Sequence, residues 1–223
     1  MIITVMLIVI AAISYCLGNA NGAILTSTYI FHKDIRNMGS GNAGLTNFYR
    51  NFGSKGIAMV MGIDIFKGIV TALLGGWLLG LTAGDYAGPV DFVVVGELFA
   101  TFCLIIGHIY PVFYEFRGGK GVLSGVAAAF VVDWRAAMIC LVVFAVLFIA
   151  FKYVSLGAVV GALSFPLSVT AMGYGGLAAA LASLSVFVIV FNHRTNIMRL
   201  INHKEPKFEL KKNVARKLDD DNF

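Results

Sequence analysis

Long apolar runs, separated by short polar segments, make up most of this chain. A helix needs roughly 20 apolar residues to cross about 30 Å of hydrocarbon. The pattern predicts seven helices, with the fourth shorter than a full crossing: 2–25, 54–81, 91–107, 122–132, 136–151, 154–170 and 177–191. The first run begins at Met1 without a basic leader or a small-residue cleavage site, so we expect it to be retained as a helix.

Composition supports a membrane protein. Of the 223 residues, 59% are hydrophobic and 13% are charged, and the mean hydropathy is +0.85. These values are not those of a soluble domain. The cysteines, Cys16, Cys103 and Cys140, lie inside apolar runs without metal-ligand spacing, so we expect neither disulfides nor a zinc site. The fold class expected is an all-α integral membrane protein with a polytopic domain over residues 1–192 and a motif with a basic tail over residues 193–223.

Positive charges give the predicted helices an orientation. If the N-terminus is outside, 15 of the 17 lysines and arginines fall on the inner side, and the exceptions are Lys67 and Arg135. Such asymmetry is typical of the cytoplasmic side. We therefore predict an external N-terminus and a cytoplasmic C-terminus. Because membrane orientation explains the basic excess, nucleic acid is not an expected partner.

A polar, glycine-rich segment, GSGNAGLTNFYRNFG over residues 39–53, follows the first run. Glycines permit positive φ, which predicts peptide N–H groups free to face an anion. Arg50 adds a cation that matches phosphate geometry. The alternative is a plain turn between two helices. The glycines are Gly39, Gly41 and Gly44, and the neutral hydrogen-bonding residues are Ser40, Asn42, Thr46 and Asn47.

A second glycine loop, GHIYPVFYEFRGGKG over residues 107–121, carries Lys120. It is not a nucleotide-binding P-loop, because Tyr114 and Gly121 stand where that motif requires glycine and a hydroxyl. In the predicted topology both loops, the corner at Ser155 and the segment HRTNI share the inner face. This convergence predicts a phosphate site at the membrane edge, with room for a lipid tail between helices.

Two ionisable residues, Asp64 and Lys67, lie inside the second run and on one helical face. They predict either an internal ion pair or a direct role in substrate binding. In the sixth run, Gly157 and Gly161 have the spacing of a helix-packing motif.

Several enzyme classes are excluded because their motifs are missing from the sequence. No histidine is followed five residues later by aspartate, as acyl-CoA acyltransferases of the HxxxxD type require, and GxSxG, HExxH and DxxxD are missing. We therefore expect no metal and no cofactor. A transporter of a phosphorylated solute is the main alternative to an enzyme, and a structural subunit is a third possibility.

Three segments resemble known motifs: GSGNAGLTNFYR, GHIYPVFYEFRGGKG and HRTNIMRLINHKEPKF. In order and spacing they are similar to those of the bacterial acyl-phosphate:glycerol-3-phosphate acyltransferases, the PlsY family. The resemblance implies seven helices in the bacterial cytoplasmic membrane with a cytoplasmic active site. It also implies acyl transfer from acyl phosphate, not acyl-CoA, to the 1-hydroxyl of glycerol 3-phosphate. The partners expected are these two substrates and membrane lipid, with no obligate protein partner.

The resemblance also implies the site residues. Those expected to act in catalysis are Ser40, Arg50, Lys120, His193 and Asn196. Those expected to bind substrate are Gly39, Gly41, Asn42, Gly44, Thr46, Asn47, His108, Gly118, Gly119 and Ser155. The chain departs from the family pattern at Ala43, Leu45 and Thr195, the last of which replaces a glutamate.

Overall fold

The computed structural model describes residues 2–83, 88 and 90–209, and within them the chain is helical with no strand. The helices are Ile2–Asn19 (α1), Gly22–Phe31 (α2), Leu45–Phe52 (α3), Ile57–Ala83 (α4), Phe92–Ile109 (α5), Val122–Val132 (α6), Trp134–Phe151 (α7), Val154–Ala171 (α8), Gly176–Asn192 (α9) and Arg194–Ile201 (α10). Short 3-10 helices occupy Ile35–Asn37 and Val112–Tyr114.

Membrane-length apolar helices dominate the described part of the chain. Five segments are long and apolar enough to cross a membrane, and there are six if α9 and α10, which are bent by 59° at their junction, are counted as one span. The apolar helix α6 is shorter. The prediction of an all-α membrane protein is confirmed, whereas seven crossings remain a prediction. Most of the segment between the second and third predicted helices, residues 84–87 and 89, and the tail from residue 210 onward lie outside the described residues.

The first predicted helix is interrupted. A single helix over residues 2–25 was the wrong prediction, because α1 ends at Asn19 and α2 begins at Gly22. The Asn21 side chain accepts a hydrogen bond of 3.0 Å from the N–H of Ile24 and so caps α2. A break of this kind inside an apolar protein requires partners for every freed backbone group.

A buried ion pair on α4 supplies those partners. Lys67 Nζ and Asp64 Oδ1 are 2.9 Å apart, which confirms the predicted internal pair. Lys67 also donates to the carbonyls of Gly18 at 3.3 Å and Ala20 at 2.7 Å. Asp64 accepts from the N–H of Gly22 at 3.2 Å. The cation thus faces the negative end of α1 and the carboxylate faces the positive end of α2, as the helix dipoles favour.

Glycines bring α8 against α7. A Cβ added at Gly157 would lie 2.9 Å from the Phe144 carbonyl oxygen, and one at Gly161 would lie 2.9 Å from the Cys140 carbonyl oxygen. No larger side chain fits without separating the two helices. The packing role predicted for these glycines is confirmed.

Replacement of Lys67 by methionine is expected to destabilise the fold strongly. The change leaves Asp64 buried without its cation and two backbone carbonyls at the helix break without a donor, at a cost of about 3–5 kcal/mol. Thermal unfolding of the detergent-purified protein measures the loss. The matched control is Lys33→Met on an exposed segment, which should melt like the wild type. Equal melting of K67M and wild type would contradict a supporting role for the pair.

Candidate functional site

One cavity of about 570 Å³ lies where both glycine loops meet the helix ends. Its polar end includes Arg50, Lys120 and His193. From this end an apolar slot continues between α5, α6, α7, α8 and α9. The slot is lined by Thr101, Ile105, Leu123, Val126, Ala129, Ala137, Cys140, Leu141, Phe144, Ala158, Ala162, Phe165, Ser185, Val186 and Ile189.

Four helices of the described chain begin at the cavity. First-turn residues of α3, α6, α8 and α10 line it, and none of their N-caps makes a side-chain hydrogen bond. In contrast, side chains cap α2, α5 and α7. First-turn N–H groups have no partner within their helix and carry the positive end of its dipole. Their convergence favours a bound anion.

A polar network joins the polar end of the cavity to the chain after α10. Lys120 Nζ donates to Asn196 Oδ1. The Glu205 carboxylate accepts from Asn196 Nδ2 at 2.7 Å and from Ser155 Oγ at 2.6 Å. It also accepts from Arg199 Nε at 2.7 Å. Glu205 therefore holds side chains of α8 and α10 in one arrangement.

The charges in this network depend on burial. Burial, with the nearby cations Arg199 and Arg50, lowers the pKa of Lys120 to about 8 against the opposing effect of Glu205. Burial also tends to raise the pKa of Glu205. The hydrogen bonds from Ser155, Arg199 and Asn196 outweigh it, so this pKa lies below its usual value. At neutral pH the site holds a lysine cation beside an ionised carboxylate.

The first glycine loop is held from within by Asn47. Its Oδ1 accepts from the N–H of Ser40 at 3.1 Å, and its Nδ2 donates to the carbonyls of Met38 and Asn42, both at 3.0 Å. Gly39, at φ +57°, passes so close to Asn47 that an added Cβ would lie 2.4 Å from Oδ1. The Asn47 side chain is therefore committed to shaping the loop.

Most peptide N–H groups of this loop are already paired. Those of Gly41 and Gly44 donate to Met38 and Asn42 carbonyls, and that of Ala43 donates to Gly118. The expectation that they are free for an anion is wrong at these positions and at Ser40. The first turn of α3 also offers N–H groups to an anion, because a helix cannot supply partners there.

The second glycine loop packs closely against the first and against α5. A Cβ at Gly119 would lie 2.4 Å from the Ala43 carbonyl oxygen and 2.3 Å from His108 Nε2. At Gly118 it would lie 2.0 Å from the His108 carbonyl oxygen. Asn192 Nδ2 donates to the Gly119 carbonyl at 2.9 Å and ties the loop to α9. These contacts place Lys120 at the cavity.

The two histidines at the cavity differ in their partners. His108 is buried, and its Nδ1 lies 2.7 Å from Lys67 Nζ while its Nε2 lies 3.4 Å from Asn21 Nδ2. His193 Nδ1 lies 2.8 Å from the Ile189 carbonyl oxygen, which can only accept. Nδ1 of His193 therefore carries a proton, and Nε2 is the acceptor of the neutral ring. Over the described residues no three His, Cys, Asp or Glu side chains form a group suited to a metal ion.

The structure brings most of the predicted site residues together. Those that line the cavity are Ser40, Asn42, Gly44, Thr46, Asn47, Arg50, His108, Lys120, Ser155, His193 and Asn196. Gly39, Gly41, Gly118 and Gly119 lie in the loops behind them. Sequence reasoning missed Arg199 and Glu205, although both lie within the third motif. The feature of the sequence that could have indicated Glu205 is that it is the one acidic residue in the basic third motif.

The chain after α10 lies against the polar end of the cavity, where Glu205 and Pro206 line it. The Phe208 ring stacks on Tyr49 with centroids 5.4 Å apart, and its N–H donates to the Lys152 carbonyl at 2.8 Å. Arg50 Nη2 donates to the Pro206 carbonyl at 3.4 Å. As far as Phe208, this segment therefore contacts the rest of the protein.

Comparison with known proteins assigns the chain to a family. The model of the family described as glycerol-3-phosphate acyltransferase matches residues 8–203. The chain belongs to this family. Relatives named glycerol-3-phosphate acyltransferase include one from Clostridioides difficile, 36% identical over 206 residues, and one from Thermoanaerobacter sp. strain X514, 35% identical over 205 residues. The matches cover 92% of this chain and 97% and 96% of those proteins, respectively.

Solved structures agree with the assignment. The chain is similar to the glycerol 3-phosphate form of PlsY, an integral membrane glycerol 3-phosphate acyltransferase, with a TM-score of 0.78 and 28% identity, covering 91% of this chain and 96% of that one. The chain is also similar to the lysophosphatidic acid form of PlsY, with a TM-score of 0.75 and 26% identity, covering 95% of this chain and 97% of that one. The protein is thus a multi-pass membrane enzyme, an acyltransferase.

Anion affinity at this site is expected to fall as pH rises through about 8. Lys120 is charged below its pKa of about 8 and neutral above it. Binding of sulfate, whose own charge is constant in this range, should weaken by up to about tenfold between about pH 7 and about pH 9. Calorimetric titration of the purified protein measures the affinity. In the Lys120→Arg variant the side chain keeps its charge, so its sulfate affinity should fall much less over this pH range. Equal falls in sulfate affinity for the wild type and this variant would contradict this role of Lys120.

Proposed function

We propose that this protein transfers a fatty acyl group from acyl phosphate to the 1-hydroxyl of glycerol 3-phosphate. The observation that carries the proposal is one cavity that joins an anion-binding end to an apolar slot. A phosphate fits the first and an acyl chain fits the second. The relatives named glycerol-3-phosphate acyltransferase, and the PlsY structures described with glycerol 3-phosphate and with lysophosphatidic acid, support this assignment.

The reaction balances without a cofactor. The glycerol oxygen attacks the acyl carbon and forms an ester bond, while the bond from that carbon to the phosphate oxygen breaks. The products are 1-acyl-glycerol 3-phosphate and inorganic phosphate. The hydroxyl proton passes to an oxygen of the leaving phosphate. The protein then contributes by positioning two anionic substrates and stabilising charge.

Roles follow from the location of each group. Lys120 and Arg50 hold the phosphate of glycerol 3-phosphate, and Ser155 and Asn196 orient it within the network of Glu205. The acyl-phosphate head lies at the first turn of α3, beside the hydroxyls of Ser40 and Thr46 and the amide of Asn42. The acyl chain occupies the slot. The resemblance implies that Gly39, Gly41, Gly44, Gly118 and Gly119 bind substrate, and in this proposal they do so by shaping the two loops around it.

His193 is the alternative proton acceptor. Its Nδ1 is held by the Ile189 carbonyl, so a neutral ring presents Nε2 as a base. His108 is bound to Lys67 and Asn21, which suits it to hold the second loop and not to exchange protons. A substrate oxygen remains the acceptor in our main proposal, since it needs no further group.

The topology that accompanies this function has seven crossings. In this proposal the five candidate spans, the bent pair of α9 and α10, and the short helix α6 each make one crossing. With the N-terminus outside, the polar end of the cavity faces the cytoplasm, from which the water-soluble substrate glycerol 3-phosphate enters. The charge asymmetry of the sequence supports this orientation.

The purified protein is expected to release phosphate from acyl phosphate only when glycerol 3-phosphate is present. Replacing Lys120 or Arg50 by alanine removes a cation from the anion-binding end and should lower the rate by about 100-fold or more. Phosphate release and formation of lysophosphatidic acid are measured together in detergent. A metal chelator should leave the rate unchanged, and acyl-CoA should give no product.

The matched control is Lys33→Ala, which removes a lysine that does not line the cavity. This variant should keep full activity. Wild-type rates in both K120A and R50A would eliminate the proposed site. Product formation from acyl-CoA would overturn the proposed donor while leaving the acyltransferase assignment in place.

Single cysteines at positions 42, 117 and 198 are expected to be accessible from the same, cytoplasmic, side. Position 42 lies in the first glycine loop, and positions 117 and 198 are exposed in the second glycine loop and on α10. Labelling with a membrane-impermeant thiol reagent in intact and in opened cells measures the side, in a background where the native cysteines are replaced by serine. Labelling of position 42 and position 198 from opposite sides would contradict the topology.

A further inference from the structure

The lining of the apolar slot extends along α8 as far as Phe165 and no further. Its lining descends along α8 from Ser155 through Ala158 and Ala162 to Phe165. At about 1.5 Å per residue, Phe165 lies about 15 Å further along α8 than Ser155. The slot therefore runs from the polar network into the middle of the helix bundle.

A packed hydrophobic cluster forms the end of the slot. Part of this cluster, including Ala137, Phe165 and Val186, lines the slot. Other members, such as Val169 and Ala182, are buried and do not line it. The lining thus stops at the level where buried side chains of the cluster from α6, α7, α8 and α9 come together.

Phe165 is the largest side chain at this end. The other residues of the cluster that line the slot there are Ala129, Ala137, Cys140 and Val186, all smaller. Phe165 is buried, at 8% exposure, and lines the slot. Its ring therefore has more influence than any neighbour on how far an inserted chain can reach.

We propose that Phe165 sets the longest acyl chain that the enzyme accepts. The inference rests on the proposed function, in which the acyl chain fills the slot from the reacting carbon inward. A chain that matches the slot buries each methylene, whereas a longer chain meets the Phe165 ring and must fold back or displace packed side chains. Close packing makes such displacement costly.

Binding of monoalkyl phosphates of increasing chain length tests this without any turnover. In the wild type, affinity should rise by about fourfold per methylene and then stop rising at a defined length. Phe165→Ala should move this limit to longer chains. Ala162→Leu, which adds bulk one turn nearer the polar end at a half-buried position, should move it to shorter chains. Calorimetry measures the affinities, and rates with matching acyl phosphates are measured in parallel.

The matched controls lie on the outer face of α9. Phe187→Ala and Ala180→Leu make the same replacements at exposed positions and should keep the wild-type limit. If Phe165→Ala does not fold, Phe165→Leu makes the same comparison with a smaller change, and Ala162→Leu still tests the opposite shift. An unchanged length limit in the folded variants overturns the inference. A length limit that shifts as expected in a protein without turnover would instead overturn the proposed reaction.

Discussion

The interruption of the first helix is the constraint on which the rest of the structure depends. Backbone groups freed inside an apolar bundle need partners, and Lys67 and Asp64 supply them from α4. The interruption leaves Asn21 free to donate to the Ala43 carbonyl at 3.0 Å. Ala43 in turn donates to Gly118 at 3.3 Å. A buried ion pair thus fixes the position of both glycine loops.

The polar end of the cavity combines charge from the backbone and from side chains. Four helix N-termini and the cations Lys120, Arg50 and Arg199 would repel one another if nothing negative were near. Glu205 provides the compensating carboxylate and holds Arg199 by a hydrogen bond of 2.7 Å. The site is therefore kept assembled before any substrate arrives, and catalysis by positioning requires such preorganisation.

Most of the architecture and part of the candidate site could be predicted from the sequence. Apolar runs predicted the helices because each crossing must be long and apolar, and glycine clusters predicted the two loops. The interruption at Asn21 was missed because a polar residue at the edge of an apolar run does not distinguish a helix face from a cap. Glu205 was missed because its partners Ser155 and Asn196 are brought to it only by tertiary packing. Asn47 was recognised as polar, but its hydrogen bonds to the loop depend on the folded backbone.

In the proposed reaction, the two ends of the cavity together determine where the chemistry occurs. The proposal fixes the head of an acyl phosphate by charge and its chain by the slot, so the carbonyl carbon would lie at the junction between them. Glycerol 3-phosphate carries charge but no chain, and the proposal places it at the polar end alone. Its free hydroxyl would then be directed toward the junction, beside the acyl carbon. Under this proposal the asymmetry of the cavity distinguishes the two phosphorylated substrates by the chain that only one of them carries.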